Sequence, residues 1–163
     1  DLAQVEAQQL TCYFAEVDPW QVVVQEVINF TPKFEQAQLQ VEVDGTGALL
    51  SLDVDRFKQI VVNLLGNSIR YTEQGGTIRI HSAQNEQTWT LFIDDSPLGL
   101  SDEQLQRLGE RFYRVDNDKV HSTEGLGLGL AIVKVISKIH NGSVKVSSEE
   151  EKCSTFSMIL PKV

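Results

Sequence analysis

The sequence has few cysteines, few basic residues and no long apolar segment. Its two cysteines, Cys12 and Cys153, match neither a disulfide framework nor the spacing of a metal site, which favours a reducing compartment. Lys and Arg total 14 against 23 Asp and Glu, so the net charge is -9 and no basic cluster is present to neutralise a nucleic acid. No apolar run approaches the roughly 20 residues of a membrane span, and no signal peptide opens the chain. We therefore expect a soluble domain that neither binds nucleic acid nor spans a membrane.

The length of 163 residues suits one domain with a sizeable core and is too short for two ordinary ones. The chain begins with Asp1 rather than Met, and its only methionine is Met158. We therefore expect it to be a piece of a longer protein.

The most informative segment covers residues 53–72, which predict one long helix. Five apolar residues recur at i, i+3, i+4, i+7 and i+8 and predict a face packed on a core: Phe57, Ile60, Val61, Leu64 and Leu65. A second face carries four polar residues: Asn63, Asn67, Arg70 and Tyr71. Such a stripe suggests a solvent-accessible polar binding site, but polar residues on an amphipathic helix are most often simply solvated. The stripe alone does not decide between the two.

Several shorter segments have the patterns of strands. They are residues 11–17, 39–43, 48–52, 77–82, 87–94, 143–147 and 154–160. Asp44 and Gly45 lie between the second and the third of these and predict that the two form a hairpin. A helix is also predicted for residues 101–112, after a capping Ser101.

Asp95 directly follows a strand whose alternate residues Trp89, Leu91 and Ile93 share one face, so parity directs its side chain toward the core. A buried carboxylate is costly unless it meets a donor, and the exocyclic amino group of adenine is a donor of this kind. The alternative is a turn-forming Asp before Pro97. Both interpretations stay open from these residues alone.

A glycine-rich loop precedes the last predicted helix. Gly125, Gly127 and Gly129 free the backbone for positive φ and direct several N–H groups to one point at a helix N-terminus, which suits phosphate. A flexible hinge explains the same alternation. Neither the P-loop nor the dinucleotide fingerprint fits, since no Lys-Ser or Lys-Thr follows and Leu130 occupies the position of the third Gly.

Together these motifs resemble the ATP-binding catalytic domain of sensor histidine kinases, within the superfamily of gyrase, Hsp90 and MutL ATPases. Residues 63–71 are similar to the N box, 95–99 to the first glycine box, 110–114 to the F box and 125–130 to the second glycine box. Four motifs in this order are highly specific, and the resemblance covers nearly everything from Asp18 onward.

The resemblance implies a fold and a division of the chain. The fold is a two-layer α/β sandwich, in which a mixed β-sheet is covered on one face by about three helices. Residues 1–10 would be the C-terminal tail of a dimerisation and phosphoacceptor hairpin. Residues 11–163 would be the ATP-binding catalytic domain, with an ATP lid at about 114–124 that orders when phosphates bind.

The resemblance also implies roles for the matching residues. Asn67 would bind Mg²⁺ between the phosphates, and Asn63 would bind or orient a water or the metal, because Mg²⁺ keeps several waters and takes few protein ligands. Asp95 would select the adenine of ATP. Asn63 and Arg114 are the implied catalytic residues. The other implied nucleotide-binding residues are Arg70 with Arg114 for phosphate charge, Tyr71 and Tyr113 beside the nucleotide, and Gly99, Gly125, Gly127, Leu128 and Gly129 in the glycine boxes.

Asn63 distinguishes a kinase from a hydrolase. ATPases of the superfamily have Glu at the matching position, where it is the base for the attacking water, and an amide cannot accept that proton at neutral pH. The domain would instead transfer the γ-phosphoryl group to a histidine. None of His81, His121 and His140 precedes an acidic residue, so we expect the acceptor outside this sequence. His81 is expected to be solvated, and His140 to carry a charge that suits a helix C-terminus.

The implied partners are the hairpin itself, in a homodimer of the whole protein, and a cognate response regulator. The implied location is the cytoplasmic part of a bacterial inner-membrane sensor kinase.

Two residues depart from the family pattern. Pro97 stands where the first glycine box usually has Gly, and Leu126 stands where a small polar residue is common. Proline removes an N–H and fixes φ, so adenine would be held more loosely. Pro97 therefore supports an alternative function, a non-catalytic interaction module that responds to nucleotide. A slow ATPase is a third possibility and requires another base near Asn63.

Overall fold

The computed structural model describes residues 11–95, 128–148 and 154–163. The helices in these ranges are α1 (Pro19–Gln36), α2 (Val54–Tyr71) and α3 (Leu128–Ile139). The strands are β1 (Ala15–Val17), β2 (Gln40–Asp44), β3 (Leu50–Leu52), β4 (Thr77–Gln84), β5 (Thr88–Asp95), β6 (Ser143–Ser148) and β7 (Ser154–Pro161). The tail predicted for residues 1–10, the helix predicted for 101–112 and the lid predicted for 114–124 lie outside the described residues. No helix in the described ranges is long and apolar enough to cross a membrane.

Five of these strands form one mixed sheet in the order β2-β4-β5-β7-β6. β2 and β4 are parallel, and the other neighbouring pairs are antiparallel. Along β5 the buried side chains alternate with partly exposed ones, so one face of the sheet belongs to the core. The predicted α/β sandwich, a mixed sheet with three helices, is confirmed.

The hairpin predicted from residues 39–43 and 48–52 is wrong. β3 pairs with β1 in an antiparallel register that places Leu52 opposite Ala15, and β2 pairs in parallel with β4. The loop between β2 and β3 does not form a tight turn. It forms hydrogen bonds to the rest of the fold instead, and the Thr46 carbonyl accepts from the Trp89 indole N–H at 2.9 Å. The parallel pair is joined through α2, the kind of crossover that parallel strands require.

Helix α2 is the central element because its apolar stripe enters the core as predicted. The five stripe residues are no more than 2 % exposed. The helix begins after Asp53, whose carboxylate accepts the Arg56 amide at 3.1 Å as an N-cap. α1 and α3 both pack against α2. The α2 side chains that do not face the core therefore lie between these two helices and solvent.

Helix α1 has a capping residue at its start and a proline in its interior. Asp18 caps it by accepting the Trp20 amide at 3.0 Å, with Pro19 at the first helical position. The helix then runs through Pro32 to its end at Gln36.

Candidate functional site

The polar stripe of α2 is partly buried rather than solvated. Asn67 is 5 % exposed and Arg70 is 8 % exposed. Arg70 Nη1 donates to Asn67 Oδ1 at 2.8 Å, and the Arg70 guanidinium lies 5.8 Å from the centre of the Tyr71 ring. Asn63, at the start of the stripe, is half-buried and donates from Nδ2 to the Gln59 carbonyl at 2.9 Å. Three of the four predicted residues of α2 therefore form one contiguous polar group.

Two donors in this group have no hydrogen-bond partner within the described ranges. They are Nδ2 of Asn67 and Nε of Arg70, and both atoms are buried. A buried donor without a partner costs about 1–3 kcal/mol, so such atoms are uncommon unless a ligand or water satisfies them. The pair is therefore suited to an acceptor-rich group such as phosphate.

The same stripe fits Mg²⁺ only when a nucleotide accompanies it. The described residues contain no cluster of three or more His, Cys, Asp or Glu that could hold a metal ion. The oxygens offered by the stripe are the neutral amides of Asn63 and Asn67, and the Asn67 oxygen already accepts from a guanidinium. Mg²⁺ commonly binds through few protein ligands plus substrate phosphates. A Mg²⁺ ion at this stripe would therefore need phosphates to supply most of its ligands.

Asp95 lies at the end of β5 and is 1 % exposed, so the inward orientation predicted by strand parity is confirmed. Neither of its carboxyl oxygens has a hydrogen-bond partner among the residues that the structure describes. Burial raises the pKa of Asp95 to about 8; the Ser68 hydroxyl lowers this pKa, and the neighbouring Asp94 charge raises it. Ser68 nevertheless donates its proton to the Leu64 carbonyl at 3.0 Å. Residues 11–95, 128–148 and 154–163 thus leave this carboxyl unsatisfied.

Asp94 faces the opposite side of the sheet and is satisfied there. Its Oδ2 is 2.7 Å from Nε2 of His81, and the His81 ring stacks on Phe92 with centroids 4.8 Å apart. The expectation that His81 is simply solvated is therefore wrong. The register of β4 and β5 places His81 opposite Phe92 and diagonal to Asp94, which no local pattern reveals.

His140 is also placed differently from its prediction. It is 5 % exposed, its Nδ1 is 2.8 Å from the Ile136 carbonyl, and its Nε2 accepts the Asp53 amide at 3.1 Å. Both ring nitrogens are thus engaged within the fold, and His140 joins the end of α3 to the start of α2.

Asp53 completes that junction from the other side. Its carboxylate accepts the Tyr13 amide at 2.8 Å in addition to the Arg56 amide. Burial alone would raise the pKa of Asp53, but these backbone donors hold it below its usual value. The junction contains polar groups that satisfy one another, and sequence analysis did not identify it because its hydrogen bonds join residues up to 87 positions apart.

The remaining predicted site residues are only partly described. Leu128 and Gly129 open α3, which packs on α2. Five others lie outside the described residues: Gly99, Tyr113, Arg114, Gly125 and Gly127. Sequence analysis did not single out Ser68, a buried polar residue beside Asn67 whose hydroxyl lowers the pKa of Asp95.

Comparisons with known proteins agree on one family. A family model described as "Histidine kinase-, DNA gyrase B-, and HSP90-like ATPase" matches residues 52–163. The sensor protein SrrB of Staphylococcus aureus is 43% identical over 112 residues, which cover 69% of this chain and 19% of SrrB. The match thus spans about a fifth of the length of these curated relatives.

Solved structures show the same fold. The histidine kinase AdeS of Acinetobacter baumannii superposes with a TM-score of 0.81 at 29% identity, covering 98% of this chain and 73% of AdeS. Full-length ShkA in complex with AMPPNP superposes with a TM-score of 0.84 at 23% identity, covering 98% of this chain and 33% of ShkA.

Proposed function

Because the chain belongs to the family of histidine kinase-, DNA gyrase B- and HSP90-like ATPases, we propose that it binds Mg²⁺-ATP and phosphorylates a histidine in two-component signalling. The observation that carries this proposal is the buried Asp95 carboxyl, whose two oxygens have no partner in the part of the chain that the structure describes. A group this costly to bury is explained by a ligand that brings a donor. The exocyclic amino group of adenine is that donor, and guanine presents a carbonyl oxygen at the equivalent position.

The phosphates of ATP would lie along the polar stripe of α2. Arg70 would supply charge, and the unpartnered Nδ2 of Asn67 and Nε of Arg70 would find acceptors in phosphate oxygens. Bound Mg²⁺ would supply positive charge that neutralises the phosphates during transfer. Asn67 would bind the metal through its oxygen once Arg70 turns to phosphate, with Asn63 beside it.

The lining of the site would be completed by residues from the other motifs. Tyr71 and Tyr113 would flank the nucleotide, and Arg114 would contact the transferred phosphoryl group. The glycine-box residues Gly99, Gly125, Gly127, Leu128 and Gly129 would let the backbone approach base and phosphates closely. Residues 114–124 would close over them as the ATP lid.

Transfer is favoured over hydrolysis by the chemistry of the stripe. None of its four residues is a carboxylate, and Asn63 offers only an amide, which cannot accept a proton from water at neutral pH. ATP would therefore persist until a nucleophile arrives in line with the γ-phosphoryl group. SrrB and AdeS are described as a sensor protein and a histidine kinase, which supports a histidine as that nucleophile.

The acceptor would come from a helical hairpin, of which residues 1–10 would be the tail and 11–163 the catalytic domain. His81 and His140 are both engaged in hydrogen bonds of the fold, so neither suits an acceptor. The whole protein would be a homodimer that passes the phosphoryl group to a response regulator. It would be a sensor kinase of the inner membrane, with this part in the cytoplasm.

Calorimetric titration with ATP and GTP, in the presence and absence of Mg²⁺, tests the binding step. We expect ATP to bind more tightly than GTP, and Mg²⁺ to strengthen ATP binding in the parent but not in Asn67→Ala. Equal ATP affinity with and without Mg²⁺ in the parent would contradict the metal role.

A phosphotransfer assay tests the chemistry. The chain is mixed with ATP and a separately produced dimerisation hairpin from the sensor kinase family, and phosphohistidine is measured. We expect transfer without steady phosphate release from the chain alone. Binding of ATP without transfer would favour the nucleotide-responsive interaction module, and steady phosphate release would favour the slow ATPase.

A further inference from the structure

Helix α2 carries a buried positive charge that no ion pair within the described ranges neutralises. Arg70 is 8 % exposed, and neither of the two ion pairs found there involves it. Its only hydrogen-bond partner in those ranges is the neutral side chain of Asn67. A charge held away from water is costly unless a counter-charge compensates it. The Arg70 guanidinium is therefore poised to receive an anion.

In the free protein this guanidinium occupies the one oxygen of the Asn67 side chain. Nη1 of Arg70 donates to Oδ1 of Asn67 at 2.8 Å, and Asn67 is only 5 % exposed. A metal ion that approached this oxygen would meet a positive charge directly beside it. Like charges repel strongly at such short range, and a site with little water screens them poorly. The oxygen is thus blocked to Mg²⁺ while Arg70 holds it.

The rest of the stripe does not offer Mg²⁺ an alternative place to bind alone. Asn63 is half-buried, and its Nδ2 donates to the Gln59 carbonyl at 2.9 Å. A single neutral amide is a weak ligand for Mg²⁺, which dehydrates reluctantly and prefers carboxylate and phosphate oxygens. The described residues hold no cluster of His, Cys, Asp or Glu that could replace them. Free Mg²⁺ therefore lacks a site on α2.

An anion, in contrast, finds two buried donors already waiting. Nδ2 of Asn67 and Nε of Arg70 have no partner within the described ranges, and both belong to the same hydrogen-bonded pair. A charged phosphate oxygen accepts from a guanidinium about twice as strongly as a neutral oxygen does. Phosphate therefore competes well with the Asn67 oxygen for Arg70, and it also neutralises the charge that repels a metal ion.

We propose that the Asn67–Arg70 pair fixes the order in which the site is loaded. The polyphosphate of the nucleotide binds first and without a metal, and it draws the Arg70 guanidinium away from the Asn67 oxygen. Only then is that oxygen open to Mg²⁺. No covalent bond forms or breaks. This inference rests on the proposed binding of ATP and adds to it that the reverse order, metal before phosphate, is closed.

The direct test is ¹⁵N NMR of the whole chain, observing the Nε–H of Arg70 and the side-chain amide of Asn67. Arg70→Lys and Asn67→Ala identify the two signals by their disappearance. Inorganic tripolyphosphate in EDTA should shift both signals, whereas MgCl₂ alone should shift neither. Mn²⁺ in place of Mg²⁺ should broaden the Asn67 signal only when tripolyphosphate is present. The Nε–H of Arg56, whose guanidinium binds Gln59 on the same helix, is the internal control and should not move.

A matched pair of variants separates this role from a structural one. Arg70→Met keeps an unbranched side chain but removes the charge and the donors, and Arg56→Met makes the same change elsewhere on α2. Arg70→Met should weaken metal-free tripolyphosphate binding by about tenfold or more, because hydrogen bonds to a charged group are lost. Without Mg²⁺, its ATP affinity should fall more than in Mg²⁺, because the metal is then the remaining source of positive charge. Loss of structure alone would lower both affinities equally, and Arg56→Met should change neither.

Three results would overturn the proposal. They are a shift of the Asn67 signal by MgCl₂ alone, no shift of either signal by tripolyphosphate in EDTA, and an equal loss of ATP affinity with and without Mg²⁺ in Arg70→Met. If calorimetry shows that ATP binds in Mg²⁺ while metal-free tripolyphosphate leaves both signals in place, only the order of loading fails. If tripolyphosphate binds and ATP does not, the proposed function fails while the anion site stands. If neither ligand binds the folded parent, both fail.

Discussion

Two buried aspartates of this chain have opposite surroundings. Asp53 is capped by the backbone amides of Tyr13 and Arg56, which hold its pKa below the usual value. Asp95 is more deeply buried, at 1 % exposed against 6 % for Asp53, neither of its oxygens has a partner among the described residues, and burial raises its pKa. Burial therefore does not by itself mark a functional carboxylate. A lack of hydrogen-bond partners does mark one. Backbone amides satisfy Asp53, whereas no donor among the described residues satisfies Asp95, which leaves its carboxyl for a ligand.

The largest expected difference between the two aspartates is in the pH dependence of stability. The folded protein holds a proton on Asp95 more tightly than the unfolded chain does, so this stability is present below about pH 4 and is lost as pH rises toward 8. Relative to Asp95→Asn, the free energy of unfolding of the parent should fall by up to about 1.4 kcal/mol per pH unit in that window. Urea unfolding at a series of pH values measures this slope. Parallel pH curves for the two proteins would show that Asp95 is not perturbed.

His140→Phe should weaken the Asp53 junction next most strongly. The phenyl ring preserves most of the volume and the contact with Phe14, whose ring centre lies 5.1 Å away, but the Asp53 amide loses its acceptor. An unpaired buried donor costs about 1–3 kcal/mol. The loss should be visible in urea unfolding, while ATP affinity stays that of the parent. Unchanged stability would mean that the junction adds nothing to the fold.

Asp53→Ala should cost about 0.5–2 kcal/mol, the usual range for the loss of an N-cap. Its pH dependence should run opposite to that of Asp95. Because the folded pKa of Asp53 is lowered, its contribution is present above about pH 4 and is lost as pH falls further. Comparison of unfolding at about pH 6 and about pH 3 measures the change. A variant deficit that grows on acidification would contradict this assignment.

The smallest effect concerns a glycine on the stripe side of α2. A methyl group at Gly66 would meet no heavy atom within 4 Å, so the fold does not require glycine there. Gly66→Ala should stabilise the protein by about 0.5–1 kcal/mol through backbone entropy. ATP affinity should stay unchanged. Thermal unfolding and calorimetry check both statements, and a loss of affinity would indicate that a ligand approaches Gly66 closely.

Local patterns in the sequence predicted the part of the site that lies on single elements. The stripe of α2 follows from helical spacing, and the inward direction of Asp95 follows from strand parity. The sequence did not reveal the partners of these residues. His140 meets Asp53 across 87 positions, and His81 meets Asp94 through the strand register. The hairpin prediction failed for the same reason. β2 pairs with β4, which follows α2 in the chain, and not with the strand across the nearest turn.

The central claim is that Asp95 selects adenine, and its neighbour provides the control. Asp94→Asn and Asp95→Asn change adjacent residues on opposite faces of β5, and each removes one acidic group. ATP and GTP affinities of the two variants and the parent are measured by calorimetry in Mg²⁺. The account predicts that Asp94→Asn keeps the preference for ATP and that Asp95→Asn loses it. Equal preference in all three proteins, or loss in Asp94→Asn alone, would contradict the account.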